Sequence, residues 1–333
     1  MKALSDGKIL VTGGAGMIGS ALIHALNQRG IERIIVADHL RTDEKWKNLV
    51  PLRFEDYMES EKFLKTITDH PKYFGDFSTI FHLGACSSTT ETDARYLVQN
   101  NYEYTKELAL HALAEGWRFV YASSAATYGD GTRGMNDSLE GIENLLPVNM
   151  YGYSKHLFDL YAKRQGLFDK ITGIKYFNIF GPNEYHKGSM RSVVLKGFQQ
   201  IIATDCIRLF KSYHPDFQNG MQKRDFLYVK DAVEMTLYLA EHAEAVGLFN
   251  LGSGQAHTWI CLATAIFSAL GKEVKIDFID MPENLKKKYQ YYTKANISKL
   301  KALGYSKPIT LIEDAVHDYV QHYLVPHKHL GET

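Results

Sequence analysis

Ile9-Leu10-Val11-Thr12-Gly13-Gly14-Ala15-Gly16-Met17-Ile18-Gly19 is the stretch that decides the fold. The apolar run 9–11 predicts a short strand, and Ala21, Leu22, Ala25 and Leu26 beyond the glycines repeat at helical spacing. Strand, glycine loop and helix therefore follow one another. Gly13 and the spaced Gly14, Gly16 and Gly19 supply a tight turn, close backbone approach to a pyrophosphate and close packing of helix on strand, with the helix N-terminus facing the phosphates. A second strand over 33–37 ends at Asp38, about 20 residues past the loop, where an acid would bind the adenosine ribose. A carboxylate there repels a 2′-phosphate and favours NAD. Arg41 and Lys45, within seven residues of it, can hold that phosphate, so the residues leave NAD and NADP open.

The same alternation continues outward. Residues 52–54 predict a third strand carrying Asp56 and Tyr57 at its end, placed to meet an adenine edge. A fourth strand, 78–83, runs into the small residues Gly84-Ala85-Cys86-Ser87-Ser88, which let a cofactor lie against the backbone. A helix over 93–115 carries Asn100 and Asn101, whose side chains can hold that loop. The fifth strand, 118–122, ends in Ser123-Ser124-Ala125-Ala126-Thr127-Tyr128-Gly129, which places hydroxyls at the carboxyl edge of a parallel sheet. Strands alternating with helices make this an α/β protein with a Rossmann-like, doubly wound parallel sheet. Next comes Tyr151-Gly152-Tyr153-Ser154-Lys155 at the start of a helical pattern, with Tyr151 and Lys155 on one face. A cation beside a phenol lowers the phenol's pKa and lets it act as a base. A packed or solvated pair is the other reading of that spacing.

A sixth strand over 172–177 leads to Asn178-Ile179-Phe180-Gly181-Pro182, and a smaller mixed α/β lobe follows, with strands at 226–229 and 249–251 and helices at 231–242 and after Thr258. We expect a cofactor domain over 1–175, to which later segments return, and a substrate-binding lobe over 176–325. In that lobe Phe210 can be core and Arg224-Asp225 a surface ion pair, while the run Lys286-Lys287-Lys288 is either a solvated face or a partner for a diphosphate.

Composition narrows the classes. Lys+Arg and Asp+Glu balance at 38 each, so no global field draws nucleic acid or an anionic membrane. Cys86, Cys206 and Cys261 are far apart, without metal spacing, and suit a reducing cytosol. With no apolar run of about 18 residues and no signal-like N-terminus, a cytoplasmic protein is expected. His322, His327 and His329 lack companion ligands and read as a frayed, solvated tail, so no metal is expected.

The glycine loop, the serine after the fifth strand and the Tyr-x-x-x-Lys helix, in this order, resemble the extended short-chain dehydrogenase/reductase family. Gly84-Ala85-Cys86-Ser87-Ser88-Thr89-Thr90-Glu91, the 121–129 stretch and His186-Lys187-Gly188-Ser189-Met190 are similar to its nucleotide-sugar epimerases that act on ADP-heptose. The likeness spans nearly the whole chain. It implies inversion at the sixth carbon of the heptose through a transient ketone, bound NADP, and a homo-oligomer, typically a pentamer. It implies catalytic roles for Ser124, Tyr151, Lys155 and Lys187. Cofactor contacts would fall on Met17, Ile18, Asp38, His39, Lys45, Leu83, Gly84, Ala85, Cys86, Ser87, Asn100, Lys155, Ile179 and Lys187, besides the glycine loop. Substrate contacts would fall on Asn178, Ser189, Lys196, Phe210, Lys211, Ser212, Tyr213, Arg224 and Tyr289. The chain departs from the pattern at His39, usually Asn, and at Ser60, usually Lys, with Lys62 nearby as a substitute. It departs also at Tyr213, usually small, at Lys196, usually His, and in a longer 212–222 segment. The alternatives are a 4-epimerase or dehydratase of another nucleotide sugar, which does not need Lys187, and a cofactor-sensing protein without turnover.

Overall fold

The run at Ile9 forms strand β1 (Lys8–Thr12), and the glycine loop leads into helix α1 (Met17–Gln28). Strands β2 (Ile34–Asp38) and β3 (Asp56–Glu59), helix α2 (Ser60–Asp69) and strand β4 (Phe77–His82) follow. This is a computed structural model describing residues 3–70, 72–286 and 289–332. After β4 come α3 (Ala94–Leu97), a wide π-turn over Val98–Glu103, α4 (Tyr104–Ala114), β5 (Arg118–Ser124), α5 (Met150–Arg164) and β6 (Ile171–Tyr176). The expected 93–115 helix is thus one rod interrupted by the π-turn that carries Asn100 and Asn101.

The smaller lobe contributes β7 (Asn178–Phe180), α6 (Val193–Thr204), β8 (Ile207–Phe210), β9 (Lys223–Arg224), β10 (Phe226–Tyr228) and α7 (Val229–Glu241). Then come β11 (Gly247–Leu251), β12 (His257–Thr258), α8 (Trp259–Ala269) and β13 (Ile276–Ile279). The pairs β7–β10 and β8–β13 are parallel and β9–β12 is antiparallel.

The main sheet has the order β11-β6-β5-β4-β1-β2-β3, and every pairing in it is parallel. Ile9 and Val11 pack into one apolar cluster and Leu10 into the other, so the sheet carries a core on each face. That is why its strands read as continuous apolar runs. Strand order reverses between β1 and β4, which opens a crevice at their carboxyl ends, the place where such sheets bind ligands. Among the described residues no helix is long and apolar enough to cross a membrane.

Two expectations are corrected. The third strand starts at Asp56 rather than Leu52, because the Asn27 side chain takes up the Arg53 backbone, donating to its carbonyl at 2.8 Å and accepting from its N–H at 2.8 Å. Asp56 and Tyr57 therefore open β3 instead of ending it, and the Tyr57 hydroxyl supports Asp38 from behind, 2.9 Å from its carbonyl oxygen. The tail is docked, not frayed: His329 and Leu330 are only 7% and 4% exposed.

Candidate active site

The glycine loop and the loop after β4 are pressed together. Gly13 N–H donates to Ala37 O at 2.7 Å and Leu83 N–H to Thr12 O at 3.1 Å. Gly13 is in the left-handed region, φ 69°, and a Cβ there would meet Gly84 N at 2.6 Å. At Gly19 a Cβ would stand 2.2 Å from Gly13 O, so α1 can start this close to the loop only with glycine. Asp38, at the end of β2, accepts from Ala15 N at 2.8 Å, from its neighbour His39 N at 2.6 Å and from Lys45 Nζ at 2.7 Å. His39 Nδ1 lies 3.1 Å from Glu61 and 3.5 Å from Glu59.

Opposite this cradle, Ser124 ends β5 and its hydroxyl accepts from Ala126 N at 3.1 Å, turning the chain. Asn149 caps α5 by accepting from Gly152 N at 2.8 Å. A Cβ on Gly152 would meet Ala126 O at 2.6 Å, so the glycine between the two tyrosines seats the helix on the serine turn. Tyr151 and Lys155 then face the cleft. Lys155 is 3% exposed, and among the described residues its Nζ has no hydrogen-bond partner. Burial pulls its pKa down to about 8, opposed by the nearby Asp159 carboxylate. The lowering of the Tyr151 pKa is expected from Lys155 together with a nicotinamide ring, and the chain's own groups set the starting point from which that ring would act. Burial pushes the phenol up, and the Ser124 hydroxyl beside it pulls the other way. Asn101, in the π-turn, accepts from Cys86 N at 2.8 Å and donates to Cys86 O and Ser154 Oγ at 2.9 Å each, so it ties the small-residue loop to α5.

Lys187 enters from the second half of the chain on a turn spanning Tyr185–Met190, and its Nζ lies 3.7 Å from Met17 Sδ. Burial lowers its pKa, with the Glu184 carboxylate opposing. One cleft of about 520 Å³ is lined by Ser124, Tyr151, Lys155 and Lys187 and, Gly14 excepted, by the cofactor residues that the resemblance implies, from Gly13 through Ile179. Sequence reasoning missed Tyr96, Tyr104 and His186 in its wall, as well as His82, which is buried between Thr12 at 2.7 Å and Thr105 at 2.8 Å with its pKa pushed down to about 3 by burial. No local pattern marks Tyr96, Tyr104 or His82, and His186 stands in the 186–190 stretch without a role assigned to it. Ser60 lines the cleft, whereas Lys62 and Asp56 are exposed outside it and the half-buried Tyr57 also stands outside it.

None of the nine expected substrate residues lines that cleft. Arg224 is buried and not a surface ion pair: its guanidinium donates to the carbonyls of Lys223, at 2.9 Å, and Gln290, and lies over the rings of Tyr289 and Trp259, 5.2 and 5.7 Å from their centroids. Tyr289 OH accepts from Trp259 Nε1 at 2.8 Å. Lys211 and Tyr213 converge on Asp280, at 3.2 and 2.7 Å. Lys196 Nζ donates to Ser189 O at 2.6 Å, Ser212 N to Asn219 Oδ1 at 2.8 Å, and Asn178 Oδ1 accepts from Thr293 at 3.5 Å. Phe210 is half-buried at the end of β8. Of the lysine run, Lys286 pairs with Glu283 and covers the Tyr213 ring at 4.0 Å, while Lys287 and Lys288 lie outside the described residues.

A glycine cradle at the β1–β4 crevice facing a serine, tyrosine and lysine is the arrangement of a pyridine-nucleotide enzyme, and residues 9–252 match the model of the NAD dependent epimerase/dehydratase family. The chain belongs to that family. It is 49% identical to an ADP-L-glycero-D-manno-heptose-6-epimerase of Nitratidesulfovibrio vulgaris over 95% of this chain and 97% of that protein. It is 42% identical to the same-named protein of Fusobacterium nucleatum, with 95% and 98% covered. The crystal structure of the Helicobacter pylori ADP-L-glycero-D-manno-heptose-6-epimerase superposes with a TM-score of 0.78 at 26% identity, covering 96% of each chain.

Proposed function

We propose that this protein inverts the sixth carbon of the heptose in ADP-D-glycero-β-D-manno-heptose to give the L-glycero epimer, for lipopolysaccharide core synthesis, with tightly bound NADP. The observation that carries this reading is that Lys187 shares one cleft with Ser124, Tyr151 and Lys155. Three of these suffice for a dehydrogenase step. The fourth supplies the second proton site that inversion requires, and the relatives at 42–49% identity bear the corresponding name.

The residues present fit a dinucleotide. Lys155 Nζ is buried without a partner among the described residues, as a group awaiting ribose hydroxyls would be, and Gly13, Gly16 and Gly19 line the cleft with bare backbone at the start of α1. Held by the glycine loop, Asp38 and Lys155, a nicotinamide cofactor would supply a reversible hydride acceptor for the sugar carbon. The chain does the rest. Tyr151 takes or gives the hydroxyl proton, Ser124 orients that oxygen, Lys155 supports the phenolate, and Lys187 serves the ketone in its rotated orientation. Residues 1–175 with β11 hold the cofactor and 176–325 the nucleotide sugar, in a cytoplasmic homo-oligomer. Its ADP-heptose would reach the residues around Arg224 by displacing the carbonyl contacts that now occupy the guanidinium.

The test is to incubate the purified protein with the D-glycero sugar, follow its sixth-carbon proton by NMR, and identify the nucleotide released on denaturation. An epimer mixture without accumulation of reduced cofactor is the expected result; preferential 4-epimerisation of a UDP-sugar would sink the assignment.

Cofactor choice rests on Arg41. Lys45 is neutralised by Asp38, whereas Arg41 lines the cleft against the uncharged Tyr96 hydroxyl, so its charge is available to a 2′-phosphate. Arg41→Ala should cut the preference for NADP over NAD by about tenfold, as loss of one charge-assisted contact implies. Lys45→Ala should weaken it less. Titration of the apoprotein with both nucleotides decides, and tighter NAD binding by the unmodified protein would overturn the choice.

A further inference from the structure

The two loops that bring Met17 and Lys187 together are joined behind the cleft by two buried asparagines. Asn48 is 1% exposed and every polar group of its side chain is used. Its amide donates to Ala15 O in the glycine loop at 2.8 Å and to Asn183 O at 3.1 Å, four residues before Lys187. Its carbonyl accepts from His329 Nδ1 at 2.8 Å, a contact that fixes the proton on that ring nitrogen. Asn183 is fully buried in the left-handed region, φ 72°. Its amide donates to Ser20 Oγ at 2.9 Å, and that hydroxyl donates to Gly16 O at 2.7 Å at the start of α1. Its carbonyl accepts from Leu330 N at 2.8 Å. Both asparagines thus hold the nucleotide loop with their donors and are themselves held by the 329–330 tail through their acceptors.

We propose that Asn48 and Asn183, oriented by His329 and Leu330, are positioning residues that set the glycine loop and the Lys187 turn against each other. The two donor bonds keep the Asn48 amide in one orientation, so loss of the His329 contact leaves its carbonyl oxygen buried without a donor. Relieving that cost means shifting Asn48 toward another donor, and the Ala15 and Asn183 carbonyls it holds shift with it, which loosens the two loops against each other. The tail, which touches neither cofactor nor substrate in this scheme, would then govern how tightly the cleft is built. The inference rests on the proposed function only for the importance of Lys187.

The test uses the full chain with His329→Ala, His329→Phe and His329→Gln, read in two ways that need no turnover. One is NADPH affinity of the apoprotein by nucleotide fluorescence; the other is the rate at which an amine-reactive reagent labels Lys187, followed by mass spectrometry. Ala and Phe should each weaken NADPH binding by about tenfold, the usual scale for a buried polar group left unmatched, and speed Lys187 labelling by a similar factor. Gln, whose amide can donate to Asn48, should restore both towards the unmodified values. Phe keeps the bulk of the ring, so a purely structural packing role would be met by Phe and not by Gln. Affinity and labelling that stay within about twofold in the Ala variant, movement of only one of the two, or rescue by Phe would each overturn the proposal. A protein that shows the expected pattern yet leaves the heptose unchanged counts against the proposed function and not against this inference.

Discussion

Tyr151→Phe should leave a folded protein that retains its nucleotide while epimerisation falls by about 10²–10⁴-fold, the weight of a positioned acid/base group. The substitution removes one hydroxyl and keeps the ring that helps close the cleft, so melting temperature and nucleotide retention should barely move. The pH profile carries the finer prediction. Burial holds the Tyr151 phenol above its ordinary pKa, with Ser124 pulling it back. A base whose pKa is raised is protonated over more of the pH range, so the unmodified rate should climb as pH rises toward that pKa. Lys155, drawn down to about 8, keeps its charge below that pH and loses it above, so the climb should flatten there. The Phe variant's residual rate should lose the rising limb. A fall of less than tenfold, or an unchanged pH profile, would demote Tyr151 to a binding residue.

What the sequence made legible was what neighbouring residues determine. The glycine loop, Asp38, the serine turn and the Tyr151–Lys155 face are each set by local geometry, and all of them line the one cleft. What it concealed was set across the fold. Asn27 holding Arg53 moved the third strand by four residues, and nothing in 52–54 announces that partner. The tail histidine looked solvated because its partner Asn48 stands 281 positions away. Arg224 looked like half of a surface ion pair because Gln290, whose carbonyl it holds, belongs to a segment with no pattern of its own. The raised Tyr151 pKa is hidden for a related reason: spacing on a helix places a cation nearby, but desolvation depends on everything packed around the phenol.

Lys187→Met tests whether inversion uses two proton-handling groups. Hydride must return to the opposite face of the carbonyl, so the ketone has to rotate, and its oxygen then points away from the group that first took the proton. Tyr151 is fixed on α5 by the Asn149 cap and the Gly152 contact, and cannot follow. Lys187 arrives on a different element, against Met17 of the glycine loop, and burial lowers its pKa while Glu184 opposes. A lysine so desolvated can give and take a proton nearer neutrality than an exposed one, which a mere counter-ion for the diphosphate would not need. Methionine keeps the length and apolar packing and removes the proton. We expect kcat for the natural sugar to fall by about 10²-fold or more with KM within a few-fold, the signature of an interaction made in the transition state. A second signature separates the roles: because a lysine must be free of its proton in one half of the cycle and carry it in the other, Lys187→Arg, which keeps the charge but does not release a proton, should be nearly as slow as Met. Were Arg to restore kcat, or Met to raise KM with kcat unchanged, Lys187 would be a binding cation and the two-base scheme would fail.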